Sequence, residues 1–360
     1  MEAHNYFSIF SFLLLSFVSG HQQLVQLPTD SLALAMRPNK LFVFGDSYAD
    51  TGNLDFQAYS WNDPYGITFP GVPAGRFSNG RVFTDFLAEY LKIETPLPYT
   101  LWAILQRFTN TNIQLQQCSD EELTYGMNFA YGGTGVFAER PNMTTQIDYF
   151  EYIVNQSVYT ESELNSSMAF VSLAGNDYSI LQGVYETLDE LESYVKQVVD
   201  QLAINLKRIY NLGVMKVAVN TLEPLGCLPE NAITFQECNR SINVLSDIHN
   251  LYLREAVYKL NNETNSTSNF ITLDLYTAFN TATATFENPY EACCVGTSSE
   301  LVCGSVDANG ERQYTVCDDP NISFFWDFAH PTQRGWEAVF STPAMQESLE
   351  QIKSLSLKFK

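Results

Sequence analysis

An α/β fold with a mainly parallel sheet covered by helices on both faces is what the sequence predicts, and three observations carry it. Short apolar runs recur along the 360-residue chain, the stretches between them repeat their apolar residues at helical spacing, and a 45% apolar content is ample for a core on both sides of a sheet. No internal repeat divides the chain, so a single domain is expected.

In chain order, the first strand is the run LFVF at 41–44. Asn79-Gly80 then marks a turn, after which Phe83, Phe86, Leu87, Tyr90 and Leu91 form one face of a helix. A second strand is expected at 168–174. Leu188, Leu191, Val195, Val198, Leu202, Leu206 and Ile209 mark a long helix, closed by Gly213 at a position that tolerates left-handed dihedrals. Strands follow at 214–219 and 270–275, with the polar run 261–269 between them read as a surface loop. Sites in such sheets lie beyond the carboxyl ends of the strands, so the residues that follow each run are the candidates.

Charge and compartment narrow the function. Nineteen Lys and Arg against 41 Asp and Glu give a net charge of -22, which repels nucleic acid and anionic membrane surfaces and excludes polyanion binding. The apolar stretch 6–18 has the length of a signal-peptide core and is too short to span a bilayer, so residues 1–20 are expected to be a signal peptide and the protein to be secreted. No other run is long enough for a transmembrane span. Seven Asn-x-Ser/Thr sequons, at Asn142, Asn155, Asn165, Asn239, Asn262, Asn265 and Asn321, are expected glycosylation sites. The seven cysteines contain no Cys-x-x-Cys, which gives a zinc site little support and favours disulfides. Cys227 should pair with Cys238 across a loop. Cys293, Cys294, Cys303 and Cys317 should form two further bridges, with the adjacent pair unjoined and Cys118 left over.

The positions singled out by the fold rule hold Gly45-Asp46-Ser47, Gly175-Asn176-Asp177 and, near the C-terminus, Asp327 and His330. Ala49 stands where a G-x-S-x-G elbow needs its last glycine, which argues against an α/β-hydrolase placement. A serine hydroxyl needs a base to take its proton, and His is the usual one. Of four histidines, His4 leaves with the signal peptide, His21 sits at the new terminus, and His249 lies in a polar helical stretch where a solvated or half-buried role is expected. His330 remains. On one helical turn or tight loop, Asp327 could hold its Nδ1 and leave Nε2 facing Ser47. Plainer readings stay open: a strand-ending turn at Gly-Asp-Ser, a local turn at Asp-x-x-His, a turn at Gly132-Gly133 and a helix cap at Asn176.

Together with FVFGDSYADTGN, GRFSNGRVFTDFLAEYL, NFAYGGTGV, Leu225-Gly226-Cys227-Leu228-Pro229 and FFWDFAHPT, these residues resemble the plant GDSL esterase/lipase family of the SGNH hydrolases, over about Lys40 to Trp336. The resemblance implies one flavodoxin-like domain at 40–356, a three-layer α/β/α sandwich around a five-stranded sheet. It implies Ser47 as nucleophile, Asp327 and His330 completing the triad, and an oxyanion hole from Ser47, Gly132 and Asn176; whether Gly132 or Gly133 supplies the N–H stays open. No metal or cofactor is implied. The substrate would be a small-molecule or lipid ester, the protein a monomer in the apoplast or vacuole. Two departures from many relatives are Tyr131, expected to narrow the pocket, and Ala174. An acyltransferase would share the same first half-reaction. A non-catalytic secreted binding glycoprotein is the reading that the complete triad disfavours.

Overall fold

The computed structural model describes residues 37–109, 123–139, 141–173, 175–179, 187–266 and 268–354. The expected signal peptide, Cys118 and Ala174 lie outside them. Six parallel strands form the main sheet in the order β2-β3-β1-β4-β5-β6: β1 Leu41–Gly45, β2 Leu97–Pro98, β3 Gly126–Asn128, β4 Met168–Ser172, β5 Val217–Asn220 and β6 Phe270–Leu273. Every ladder between them is parallel. This is one strand more than expected, because β2 is a two-residue edge strand ending in Pro98 and presents no apolar run. The run at 270–275 ends early as a strand, since Asp274 accepts the N–H of Thr277 at 3.2 Å and starts the helix Leu275–Thr283.

The helices in chain order are α1 Phe83–Leu91, α2 Tyr99–Thr109, α3 Met143–Asn155, α4 Glu161–Asn165, α5 Gly175–Ser179, α6 Leu188–Asn211, α7 Arg240–Glu263, α8 Leu275–Thr283, α9 Gln333–Phe340 and α10 Pro343–Ser354. Period-two alternation explains how they cover both faces. Phe42 and Phe44 share one face of β1 and meet Phe150 of α3 at 4.8 and 5.6 Å between ring centroids. Phe170, paired with Val43 and so on the opposite face, stacks on Phe83 of α1 at 4.7 Å. Strands buried on both sides must be apolar throughout, which is why β1 and β4 read as continuous runs. The long helix closes as expected, with Gly213 at φ +106°.

Three disulfides join Cys227 to Cys238, Cys293 to Cys317 and Cys294 to Cys303. The last two clasp a two-stranded antiparallel ribbon, β7 Cys294–Gly296 and β8 Tyr314–Val316. Its base is tied to the segment that leads to Asp327: the N–H groups of Cys293 and Cys294 donate to the carbonyls of Phe325 and Trp326 at 3.1 and 2.6 Å. Among the described residues, no helix is long and apolar enough to cross a membrane.

The chain leaves β1 toward β2 and β3 on one side and later fills β4 to β6 on the other. A crevice therefore opens between the carboxyl ends of β1 and β4, where the two directions of winding part.

Candidate active site

Ser47 stands at that crevice, two residues past the end of β1. The strand turns sharply there because Gly45 lets the chain press against β4; a Cβ at this position would lie 2.1 Å from the Ser172 carbonyl oxygen. The buried Gln146 amide secures the turn, accepting the Gly45 N–H and donating to the Gly45 carbonyl, both at 2.9 Å.

His330 approaches from the opposite end of the chain. Its Nε2 lies 2.7 Å from Ser47 Oγ, while Nδ1 lies 2.8 and 2.9 Å from the two carboxylate oxygens of Asp327. Asp327 and His330 sit in a tight loop closed by the Trp326 N–H donating to the His330 carbonyl at 2.6 Å. Oδ1 of Asp327 also accepts the N–H groups of Ala329 and His330, and Oδ2 accepts the Tyr65 hydroxyl at 2.7 Å. Burial alone would raise this carboxyl; the imidazole and the surrounding donors outweigh it and hold Asp327 below the usual carboxylate range. An ionised carboxylate keeps the proton on Nδ1, which leaves Nε2 to accept the Ser47 O–H. The imidazole stacks on Phe77 at 4.8 Å.

Asn176 is the second residue of α5, four residues past the end of β4. One of its amide hydrogens goes to the Thr134 carbonyl at 2.8 Å, and the residue lines a pocket with Ser47 and His330. Asp177 pins the facing loop by accepting the N–H groups of Val136, Phe137 and Ala138. The structure qualifies the expectation for Gly132: its N–H donates to Asp50 Oδ2 at 2.9 Å. Gly133, at φ +77°, lines the same pocket beside it.

Ser47, His330, Asn176, Gly132 and Gly133 line one cavity of about 820 Å³, to which Leu191, Leu225, Ile242 and Leu245 contribute apolar surface. Tyr131 does not narrow it. That residue lines a separate cavity of about 590 Å³ with Trp61 and Leu101. His249 also departs from expectation: it is fully buried, its Nδ1 meets the Tyr178 hydroxyl at 2.8 Å, and burial pushes its pKa down to about 3, so it packs as a neutral core residue. Asn155, Asn165, Asn262, Asn265 and Asn321 are exposed, whereas Asn142 and Asn239 are half-buried caps of α3 and α7.

Sequence reasoning missed Tyr65, Gln146 and Glu223. The first two carry no local signal, because their partners lie 262 and 101 residues away. Glu223 was within reach of the rule that selects residues just past a strand, here β5. Its carboxyl also lines the pocket and, after burial itself, is the main influence pushing Asp46 above the usual range.

The GDSL-like Lipase/Acylhydrolase family model matches residues 41–342. An Arabidopsis thaliana protein named GDSL esterase/lipase is 49% identical over 362 residues, which covers 96% of each chain. A second of that name and organism is 46% identical over 93% of this chain and 95% of its own length, and a third 41% identical over 85% and 86%.

Proposed function

Because the chain belongs to the GDSL lipase/acylhydrolase family, we propose that it cleaves carboxylic esters through an acyl-Ser47 intermediate resolved by water. The observation that carries this reading is the unbroken relay from Ser47 Oγ through His330 to Asp327. Ser47 Oγ attacks the ester carbonyl carbon as its proton passes to His330 Nε2. The second N–H of Asn176 and the backbone N–H groups of Ser47 and Gly133 stabilise the oxyanion, the Gly132 N–H being held by Asp50; each such donor contributes about 10²- to 10³-fold. The tetrahedral adduct then expels the alcohol, whose oxygen takes the proton from His330. Water repeats the sequence, its proton going to His330, and the carboxylic acid leaves with Ser47 restored. Asp327 fixes the imidazole and stabilises its charged form throughout.

The disulfides support secretion through the apolar leader 1–20, and the five exposed sequons support glycosylation of one domain spanning 40–356. Ser47→Ala should leave a folded protein with turnover reduced by at least about 10⁴-fold, and a fluorophosphonate should label the wild type at Ser47 only. Labelling elsewhere, or activity in the Ser47→Ala protein, would overturn the assignment. A natural alcohol at millimolar concentration that captured most of the acyl group, against water at about 55 M, would replace hydrolysis by acyl transfer.

A further inference from the structure

The pocket that joins Ser47 to His330 contains a carboxyl the reaction does not use. Glu223 is 8% exposed and stands three residues beyond β5 in a loop clamped from α7: its own carbonyl accepts the Ser246 hydroxyl at 2.7 Å, and the Asn250 amide bonds both backbone groups of Leu222. Its Oε1 lies 3.1 Å from where a Cβ on Gly175 would stand, so the glycine next to Asn176 makes room for it. Apart from its own backbone N–H, no described residue donates a hydrogen bond to this carboxyl. A carboxyl that lines a ligand pocket with no side chain donating to it is open to a donor on the ligand.

The surroundings decide which donor. His330, Asp46 and Glu230 line the same cavity, so Glu223 is one of three acids there, and wherever any of them ionises a carboxylate on the substrate would be repelled. Burial lifts the Glu223 carboxyl to about 7, which keeps it neutral through most of the acid range. A neutral carboxyl does not attract an ammonium group, yet it accepts a hydrogen bond from a hydroxyl in either protonation state.

We propose that Glu223 is a specificity-determining residue whose carboxyl accepts a hydrogen bond from a hydroxyl carried by the substrate close to the scissile ester, so that hydroxylated esters are preferred to plain alkyl esters. The proposal rests on the ester-cleaving reading above. The hydroxyl can sit on the acyl chain or on the alcohol, and two matched pairs separate these sources: para-nitrophenyl hexanoate against its β-hydroxy counterpart, and propyl butyrate against glycerol monobutyrate. The full-length wild type should favour the hydroxylated member of at least one pair by about tenfold or more in kcat/KM. Glu223→Met should reduce that preference to within about threefold, by lowering kcat/KM for the hydroxylated ester more than for the plain one. Glu223→Gln, which keeps an acceptor oxygen, should retain part of it. Equal treatment of both pairs by the wild type overturns the proposal without recourse to any variant. So does a Glu223→Met protein that slows both members alike, or one that keeps the full preference. If Ser47 reacts with a fluorophosphonate and plain esters are cleaved without discrimination, the proposal fails alone; if neither occurs, the esterase reading fails.

Discussion

Removing one oxygen atom, by Tyr65→Phe, isolates the support given to Asp327. The phenol lies between Phe77 and Trp326, each 6.1 Å away between ring centroids, and Phe keeps that packing without opening a cavity. What disappears is the 2.7 Å hydrogen bond to Oδ2, which leaves that oxygen only the imidazole, while Oδ1 keeps its two backbone donors. A hydrogen bond to a charged group contributes about 1.5–3 kcal/mol. Only the part that grows when His330 becomes positively charged appears in the rate; half of that value, about 1 kcal/mol, is roughly fivefold, and the whole sets a ceiling of roughly 10²-fold. Tyr65 acts through Asp327 and is a positioning residue, so kcat should fall with KM little changed. The loss should deepen toward acid pH. Asp327, held below its usual range partly by this phenol, would begin to protonate sooner. The assay is kcat/KM for a soluble ester from about pH 4 to 8, alongside the rate of fluorophosphonate labelling and the thermal midpoint. Unchanged labelling and turnover across that range would refute the reasoning. A uniform loss that tracks a lowered midpoint, with no change in the pH profile, would reduce Tyr65 to a packing residue.

Two further predictions concern stability. Burial lifts Glu223 from 4.5 to about 7 and Asp50 from 3.8 to about 6, so each stays protonated in the folded chain where the unfolded chain ionises. Stability should therefore be greatest below their ordinary values and fall as pH rises through these windows, by up to roughly 3 kcal/mol for Glu223; Asp327 shifts the other way, and its contribution is lost only as pH falls below 3.8. Thermal midpoints measured at about pH 5 and 7.5 should decline between the two, less so in Glu223→Gln, and a rise would contradict the assignment. Replacing Cys293 and Cys317 by Ser opens a loop with a sequence separation of 24 and should cost about 3 kcal/mol, read by denaturant titration; a loss below about 1 kcal/mol would show the ribbon to be held by other contacts.

How much was legible depends on where the partner of each residue lies. The strands β1 and β4 to β6 announce themselves because burial on two faces demands uninterrupted apolar residues, and scarcity of histidine isolates His330. Asp327 is readable because it precedes its partner by three residues. The Gly132 N–H is not: Asp50, which engages it, lies 82 residues upstream and is brought close only when β3 pairs with β1. His249 misleads for the same reason, its helix reading as polar while Tyr178, 71 residues earlier, covers its ring. β2 is invisible to periodicity because two residues have no period.

Ser47 and His330 are 283 residues apart, and the loop that bears the base is braced by a ribbon whose two bridges need oxidants to close. A ribosome thus releases the serine long before its activating partner exists, and a full-length chain still in a reducing environment lacks the clasp that steadies that partner. On the proposed reading, the site is therefore complete only when the last part of the chain has folded back onto the first.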